Sequence, residues 1–333
     1  MTPAEMPLPS VVWQSRPAQH RRAVYLCADA KFMPYTLFLA NQIANAHPAR
    51  DFDICIVSVS PIAPHPLYDA LSLRAVQIDT GAMETQVRVS DRIGYATYLR
   101  IFMPRLWHGE YDRLFYLDGD IFYQRGDIAA LLTQDMAGCA VAAVPDCQFW
   151  ERPGFHARDI KELGLPAAPY FNAGVLMIDV PRFVEGGYYD AVMTLIFTRG
   201  KDLGGHDQTA LNAVMANAWA ELPVQWNFQY HYTTMLWSGY FDVCLYHFVG
   251  TRKPFYGKYG ANARRFTTPY RQFFAQHFPQ LVPQVLDGLG GPKQWFWLLV
   301  VMGYNLRKLR GALLLESKFD SDFDIRPISG KIK

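Results

Sequence analysis

Arg113-Leu-Phe-Tyr-Leu-Asp-Gly-Asp-Ile-Phe-Tyr123 decides the fold. Leu114 to Leu117 is a short apolar run with a charge before it and two carboxylates after it, as expected of a buried strand that ends at a polar edge. Working outward, apolar runs at Ala23–Ala28, Ile54–Val59 and Ala75–Ile78 precede it, and Val141–Val144 and Gly174–Ile178 follow. Between them lie stretches with apolar residues at helical spacing. These are Pro34–Ala46, a stretch from a capping Asp91 to Leu106, Pro181–Thr198 and Asp207–Ala216. Such alternation predicts an α/β chain on a central, mostly parallel sheet covered on both faces, with ligands gathering at the carboxyl ends of the strands. After Glu221 the alternation fades, and helical spacing returns near Pro269. The expected organisation is a loose leader over 1–20, one principal domain over 21–265 and a small helical C-terminal appendage over 266–333.

Composition narrows the classes of function. Lys and Arg number 32 against 30 Asp and Glu, a balance that argues against a nucleic-acid binder. Cys27, Cys55, Cys139, Cys147 and Cys244 form no paired framework and read as buried thiols of a reducing compartment. The first twenty residues hold no apolar signal region, and no apolar run reaches the ~18 residues of a membrane span, so the expectation is a cytoplasmic protein. One segment qualifies this. Trp295–Met302 is strongly apolar and is followed by Arg307, Lys308 and Arg310, a pattern suited to lying on the inner face of a membrane with its cations at the headgroups. The same segment also fits a helix packed on the main domain. The tail from Ser317 to Lys333 reads as mobile.

Two carboxylates one residue apart at a strand's end can both reach one hard divalent cation. Asp51/Asp53, Asp320/Asp322 and Asp322/Asp324 share that spacing, but only Asp118/Asp120 ends an apolar strand. The same two residues admit a rival reading, a dehalogenase-type phosphatase with a nucleophilic and an acidic aspartate. Against it, Phe122 stands where that motif has Thr or Val, and several strands and helices precede the pair. No phosphate-loop, dinucleotide-binding or HExxH zinc motif is present.

Further blocks accompany the pair in chain order: Ala28-Asp29, Tyr95-Ala-Thr-Tyr-Leu-Arg100, Leu117-Asp-Gly-Asp120, Tyr170-Phe-Asn-Ala-Gly-Val-Leu-Met-Ile-Asp179, Gly205-His-Asp-Gln-Thr-Ala-Leu-Asn212 and His247-Phe-Val-Gly-Thr-Arg-Lys-Pro254. With them the chain resembles the family 8 glycosyltransferases. These are retaining enzymes of the GT-A fold and include glycogenin and bacterial lipopolysaccharide and lipooligosaccharide galactosyl- and glucosyltransferases. The resemblance implies a UDP-sugar donor and transfer of galactose or glucose to a hydroxyl of a glycan or glycolipid acceptor. It implies Asp118, Asp120 and His247 as ligands of Mn²⁺, with Mg²⁺ as the alternative; an imidazole among the ligands favours manganese. It implies donor contacts at Asp29 for the base, at Arg100, Asn172 and Ala173 for the sugar, and at Gly119, Gly250 and Lys253 around the diphosphate. Asp207 and Gln208 are the implied catalytic pair, the aspartate holding sugar hydroxyls and the glutamine oxygen facing the anomeric carbon.

Plainer readings stand beside these. Asp29 and Asp207 also suit helix caps, Arg100 a helix surface, and His247 a packed core. Ala30, Lys31 and Phe32 depart from the polar residues with which the family often follows Asp29. A single front-face displacement and a two-step route through Gln208 or Asp207 remain equally open. So does a sugar-nucleotide-binding module without catalysis, although the intact Asp118, Asp120, Gln208, His247 and Lys253 argue against it.

Overall fold

The computed structural model describes residues 9–81, 95–150, 156–204, 206–251, 253–255, 263–285 and 293–328. The chain opens with β1 (Ser10–Gln14), β2 (Arg22–Ala28), α1 (Met33–Ala46), β3 (Asp53–Ser58), α2 (Leu67–Ala70) and β4 (Arg74–Asp79). A 3₁₀ turn at Tyr95–Tyr98 leads into α3 (Leu99–Leu106), then β5 (Arg113–Leu117), β6 (Ile121–Tyr123), α4 (Ile128–Leu132) and β7 (Val141–Pro145). Next come α5 (Arg158–Glu162), β8 (Phe171–Asp179), α6 (Val180–Glu185), α7 (Tyr188–Arg199) and α8 (His206–Val214). The short strands β9 (Ala220–Glu221), β10 (Phe228–Gln229) and β11 (Leu245–His247) follow. The chain closes with α9 (Arg264–His277), α10 (Lys293–Arg307), α11 (Leu309–Glu316) and β12 (Arg326–Pro327).

The main sheet has nine strands in the order β1-β4-β3-β2-β5-β8-β7-β9-β12. Strands β4, β3, β2 and β5 run parallel, while β8 runs antiparallel to both β5 and β7. Side chains alternate between faces with period two, so Val24 and Leu26 join a buried cluster with α1 while Ala23, Tyr25 and Cys27 join a second with α3 and α7. Burial on both faces is why β2 and β5 read as continuous apolar runs rather than alternating ones. Helix α9 starts at Arg264, beside the expected boundary, and its Phe266, Tyr270, Phe273 and Phe274 belong to the same buried cluster as α1.

Pairing at the strand ends builds the site. Leu117 pairs with Val175 and the Asp118 amide donates to the Gly174 carbonyl at 2.8 Å, so the start of β8 lies beside the carboxyl end of β5. Because β7 also runs antiparallel to β8, its carboxyl end arrives at the same edge, with Val144 opposite Asn172. A second, three-stranded sheet, β10-β11-β6, sets His247 opposite Ile121, immediately after Asp120. Helix α8 is tied to this edge by Asn212, whose side chain accepts from the Phe171 amide at 2.7 Å and donates to its carbonyl at 2.9 Å.

Several expectations need correction. The leader is not loose over Ser10–Gln14, which forms edge strand β1 antiparallel to β4. Its Val11, Val12 and Trp13 stay exposed, so it lacks the burial pattern that marks a strand. The single helix expected over Pro181–Thr198 is two, broken at Gly186-Gly187, where Gly187 takes φ +67°, a left-handed conformation that a side chain would disfavour. Asp91 lies outside the described residues. The tail is fixed rather than mobile over Ser317–Ile328: Lys318 pairs with buried Glu221, Asp322 with Arg125 at 2.8 Å, and Arg326–Pro327 adds a strand beside β9. These contacts are made across the chain, so local composition could not reveal them. Lys308 does not join Arg307 and Arg310 at the surface. It is 4% exposed and bonds the Cys147 carbonyl.

Candidate active site

Asp118, Asp120 and His247 converge, each offering a ligand atom within 4.8 Å of the others. The His247 Nε2 stands 3.7 Å from Asp118 Oδ2 and 3.3 Å from Asp120 Oδ1. Three features fit this cluster to a metal ion. The His247 Nδ1 lies 3.0 Å from Asn227 Oδ1; donation across that contact leaves the Nε2 lone pair turned toward the carboxylates. Asp120 Oδ1 is buried and has no hydrogen-bond donor of good geometry among the described residues, as suits an atom reserved for a cation. Gly174 makes the room: a methyl group there would overlap the His247 ring and come within 2.7 Å of Asp118 Oδ2. Gly119 allows a similar approach, since a Cβ there would stand 2.8 Å from the Thr36 hydroxyl of α1.

Electrostatics keep Asp120 charged. Burial alone would raise the Asp120 carboxyl, but Lys253 and His247 outweigh it and hold it well below the usual carboxylate range. The Lys253 ammonium bonds both Asp120 Oδ2 and the Phe248 carbonyl. Arg100 is not a surface residue. Its guanidinium is buried, pairs with Asp207 at 2.7 Å and with Asp118 at 3.5 Å, and donates to the Ala173 carbonyl at 2.6 Å. Burial lowers its proton affinity, yet Asp118 and Asp207 raise it further, so it remains a cation. For Asp207 burial pushes the carboxyl up and Arg100 opposes it. Removing either partner would strand the other's charge, a loss of about 3–5 kcal/mol.

Gln208 sits one residue on, in the first turn of α8, behind His206 at φ +52°. A non-glycine residue in that left-handed region costs about 1–3 kcal/mol, and such strain collects at functional sites. The Gln208 Oε1 accepts from the Ala173 amide at 2.9 Å and stands 3.4 Å from Asn172 Nδ2, while its Nε2 faces Asp146 Oδ2 at 3.5 Å. Asn172 in turn accepts from Asn227 Nδ2 at 2.9 Å, so one amide chain links the glutamine to the histidine. Gly205 and Arg252 of the quoted blocks lie outside the described residues.

Asp29 leaves the carboxyl end of β2, the strand paired with β5, and its Oδ1 accepts the Phe32 amide at 2.8 Å, fixing the turn into α1. Gly250, at φ +81°, lines a cavity of about 540 Å³ together with Asn172, Asp146 and His231. Sequence reasoning missed Asn227 and Asp146. Asn227 lies in an aromatic stretch with no local signal. Asp146 follows an apolar strand, so the rule that singled out Asp118 would have found it.

Comparison with known proteins agrees with this geometry. The model of the family described as "Glycosyl transferase family 8" matches residues 23–256. General stress protein A of Bacillus subtilis (strain 168) is 34% identical over 158 residues, which are 46% of this chain and 52% of that protein. Lipopolysaccharide 1,2-glucosyltransferase of Escherichia coli (strain K12) is 25% identical over 174 residues, 48% of this chain and 49% of that protein. The chain therefore spans about half the length of these curated relatives. Among solved structures, the galactosyltransferase LgtC in complex with donor and acceptor sugar analogs aligns with a TM-score of 0.57 at 19% identity, covering 83% of this chain and 99% of that one. At that identity the likeness establishes the fold, which is GT-A.

Proposed function

The chain belongs to glycosyl transferase family 8, and we propose that it transfers galactose or glucose from a UDP-sugar to a hydroxyl of a cell-surface glycan, such as lipopolysaccharide, with retention of configuration. The observation that carries this reading is the meeting of Asp118, Asp120 and His247 with the Arg100–Asp207 pair and Gln208 at one sheet edge. A dehalogenase-type phosphatase is not favoured, because it has no use for the buried histidine or for the amide chain behind it.

Asp118, Asp120 and His247 would hold Mn²⁺, or Mg²⁺ in its place. The chemistry supplied by a metal bound there is Lewis-acid neutralisation of a departing diphosphate. Lys253 adds a cation beside Asp120, and Gly250 offers its backbone to the same phosphates. Arg100, Asn172 and the Ala173 backbone line the donor-sugar position, with Asp207 oriented by Arg100 to accept hydrogen bonds from sugar hydroxyls. Gln208 is fixed by the Ala173 amide with its oxygen toward the chain of sugar-binding groups, where it can oppose positive charge developing at the anomeric carbon. The acceptor hydroxyl then attacks on the face the diphosphate leaves and passes its proton to a phosphate oxygen.

Among the described residues no helix is long and apolar enough to cross a membrane. The outer face of α10 and α11 nevertheless exposes Leu299 at 66% and Leu306 at 64%, with Met302, Leu309, Leu313 and Leu314, beside Arg307 and Arg310. This surface is suited to rest on the anionic inner face of a membrane that carries a lipid-linked acceptor. The side chains of Trp295, Phe296 and Trp297 lie outside the described residues.

Release of UDP from UDP-galactose and UDP-glucose, with Mn²⁺ or with chelator, tests the enzyme directly. Metal-dependent release that is lost in Asp120→Asn is expected, and equal release by that variant under saturating Mn²⁺ would overturn the metal role. Sedimentation with phosphatidylglycerol vesicles tests the membrane surface: Leu299→Asp with Leu306→Asp should stay in the supernatant. Equal sedimentation of variant and parent would remove that part of the reading.

A further inference from the structure

The family match ends at residue 256, yet the cavity beside Gln208 is closed by residues that come later in the chain. Its lining includes Asp146 and Asn172, both of which touch Gln208, but none of Asp118, Asp120 and His247. The lining also includes Tyr304 of α10 and Lys308 at the α10–α11 junction. At about 540 Å³ the space suits a small organic ligand.

The inner face of these helices is Val301, Asn305, Lys308 and Ala312, all buried, while leucines face outward. A helix needing only to be anchored would bury the leucines and expose the lysine, because an ammonium taken out of water costs several kcal/mol. Lys308 donates to the Cys147 carbonyl and lies 5.8 Å from the Trp150 ring. An ammonium has three N–H donors, and among the described residues one of them has a partner. The wall itself is rigid. Asn305 bonds the Tyr232 carbonyl at 2.8 Å and accepts from the Leu236 amide at 3.1 Å, and Tyr304 meets Tyr232 edge to face at 5.4 Å.

We propose that Lys308 and Tyr304, which line this cavity together with Asp146, form the site for the acceptor sugar, which rests on the glycosyltransferase reading above. A carboxylate that accepts from one hydroxyl and an ammonium that donates to the next can grip a vicinal diol, and the paired tyrosines supply an apolar face for the ring. The cavity adjoins Gln208 through Asp146 and Asn172, so a hydroxyl held there is within reach of the donor sugar carbon. The C-terminal helices thus complete an acceptor site that begins with Asp146 and Tyr232 of the family-matched region.

The test is the ratio of sugar transfer to donor hydrolysis in the full chain, with UDP-galactose or UDP-glucose, Mn²⁺, and methyl β-galactoside, methyl β-glucoside and lactose as acceptors. Lys308→Met is expected to lower the ratio at least about ten-fold through a higher acceptor KM, the worth of a charged hydrogen bond. Tyr304→Ala should lower it about five-fold. General damage would depress both reactions and leave the ratio in place. If Lys308→Met does not fold, Tyr304→Ala decides, since Tyr304 is 38% exposed. A ratio that holds in the folded variants overturns the proposal, as does a parent enzyme that hydrolyses its donor but accepts none of the glycosides. A chain inert to both nucleotide sugars would instead remove the glycosyltransferase reading, and this site with it.

Discussion

Gly174→Ala should weaken metal binding about a hundred-fold while leaving the fold intact. The added methyl would overlap the His247 ring and stand 2.7 Å from Asp118 Oδ2, so the imidazole must swing away from the carboxylates. Without metal, overpacking of this kind costs about 1–3 kcal/mol. With metal the difference is sharper. An ion at about a hundred times its Kd stabilises the native state by about 2.7 kcal/mol. Unfolding entropy of about 2.1 cal/mol/K per residue over 333 residues is about 0.7 kcal/mol/K, so Mn²⁺ should raise the parent Tm by about 4 °C. Disturbing a ligand's support weakens binding by about 10–100-fold, and displacing the ligand itself falls at the upper end. At the same concentration a hundred-fold loss leaves about 0.4 kcal/mol, or about 0.6 °C. Differential scanning fluorimetry with and without Mn²⁺ reads this directly, because the metal-free cost cancels in the comparison. A variant that keeps the full metal-induced rise would refute the placement of His247 against Asp118 and Asp120.

Asn227→Leu leaves every ligand in place but frees the His247 Nδ1, so the metal Kd measured by calorimetry should rise about 10–100-fold; an unchanged Kd would deny the histidine its support. Gln208→Ala should lower kcat by about 10²–10³ with donor Kd little changed, and a variant that loses affinity but keeps kcat would move Gln208 out of the reacting centre. Burial pushes the Glu221 carboxyl above its ordinary value and Lys318 opposes the rise, so Lys318→Met should lift it further. A raised carboxyl contributes stability in full below the unfolded value, near pH 4, and loses it as pH rises through the folded value. The variant should therefore be about 1–3 kcal/mol less stable at pH 7 and match the parent near pH 4 in paired Tm measurements; a pH-independent gap would contradict the pairing. Gly311→Ala places a methyl against the Trp150 carbonyl with no room to move, so α11 must unseat and Tm should fall by several degrees. An unaltered melting curve would show that α11 does not seat there.

The local signals that were legible in this sequence were those of continuous burial and of chemistry at strand ends. Leu114–Leu117 running into Asp118 and Asp120 identified a central strand and its ligand edge, because a strand buried on both faces has no polar positions until it leaves the sheet. Ser10–Gln14 gave no such signal, because an edge strand with exposed side chains has the composition of a loop. The break between α6 and α7 was visible as Gly186-Gly187 but was overridden by the apolar spacing on either side.

What only the tertiary structure decided are the pairings between positions far apart in the chain. His247 meets Asp120 because β11 registers against β6, and Asn172 meets Asp146 because β7 and β8 run antiparallel. Asn227 and Lys308 carry no local mark, since an amide or an ammonium takes its meaning from the partner that folding brings to it. Burial makes those partnerships obligatory: once water is excluded, each polar group must find its complement in the protein or in a ligand. The sequence by itself determined the central strands, the acidic pair and the family to which they belong. Folding determined which distant side chains complete the site, and it turned a basic residue expected at the surface into the wall of a cavity.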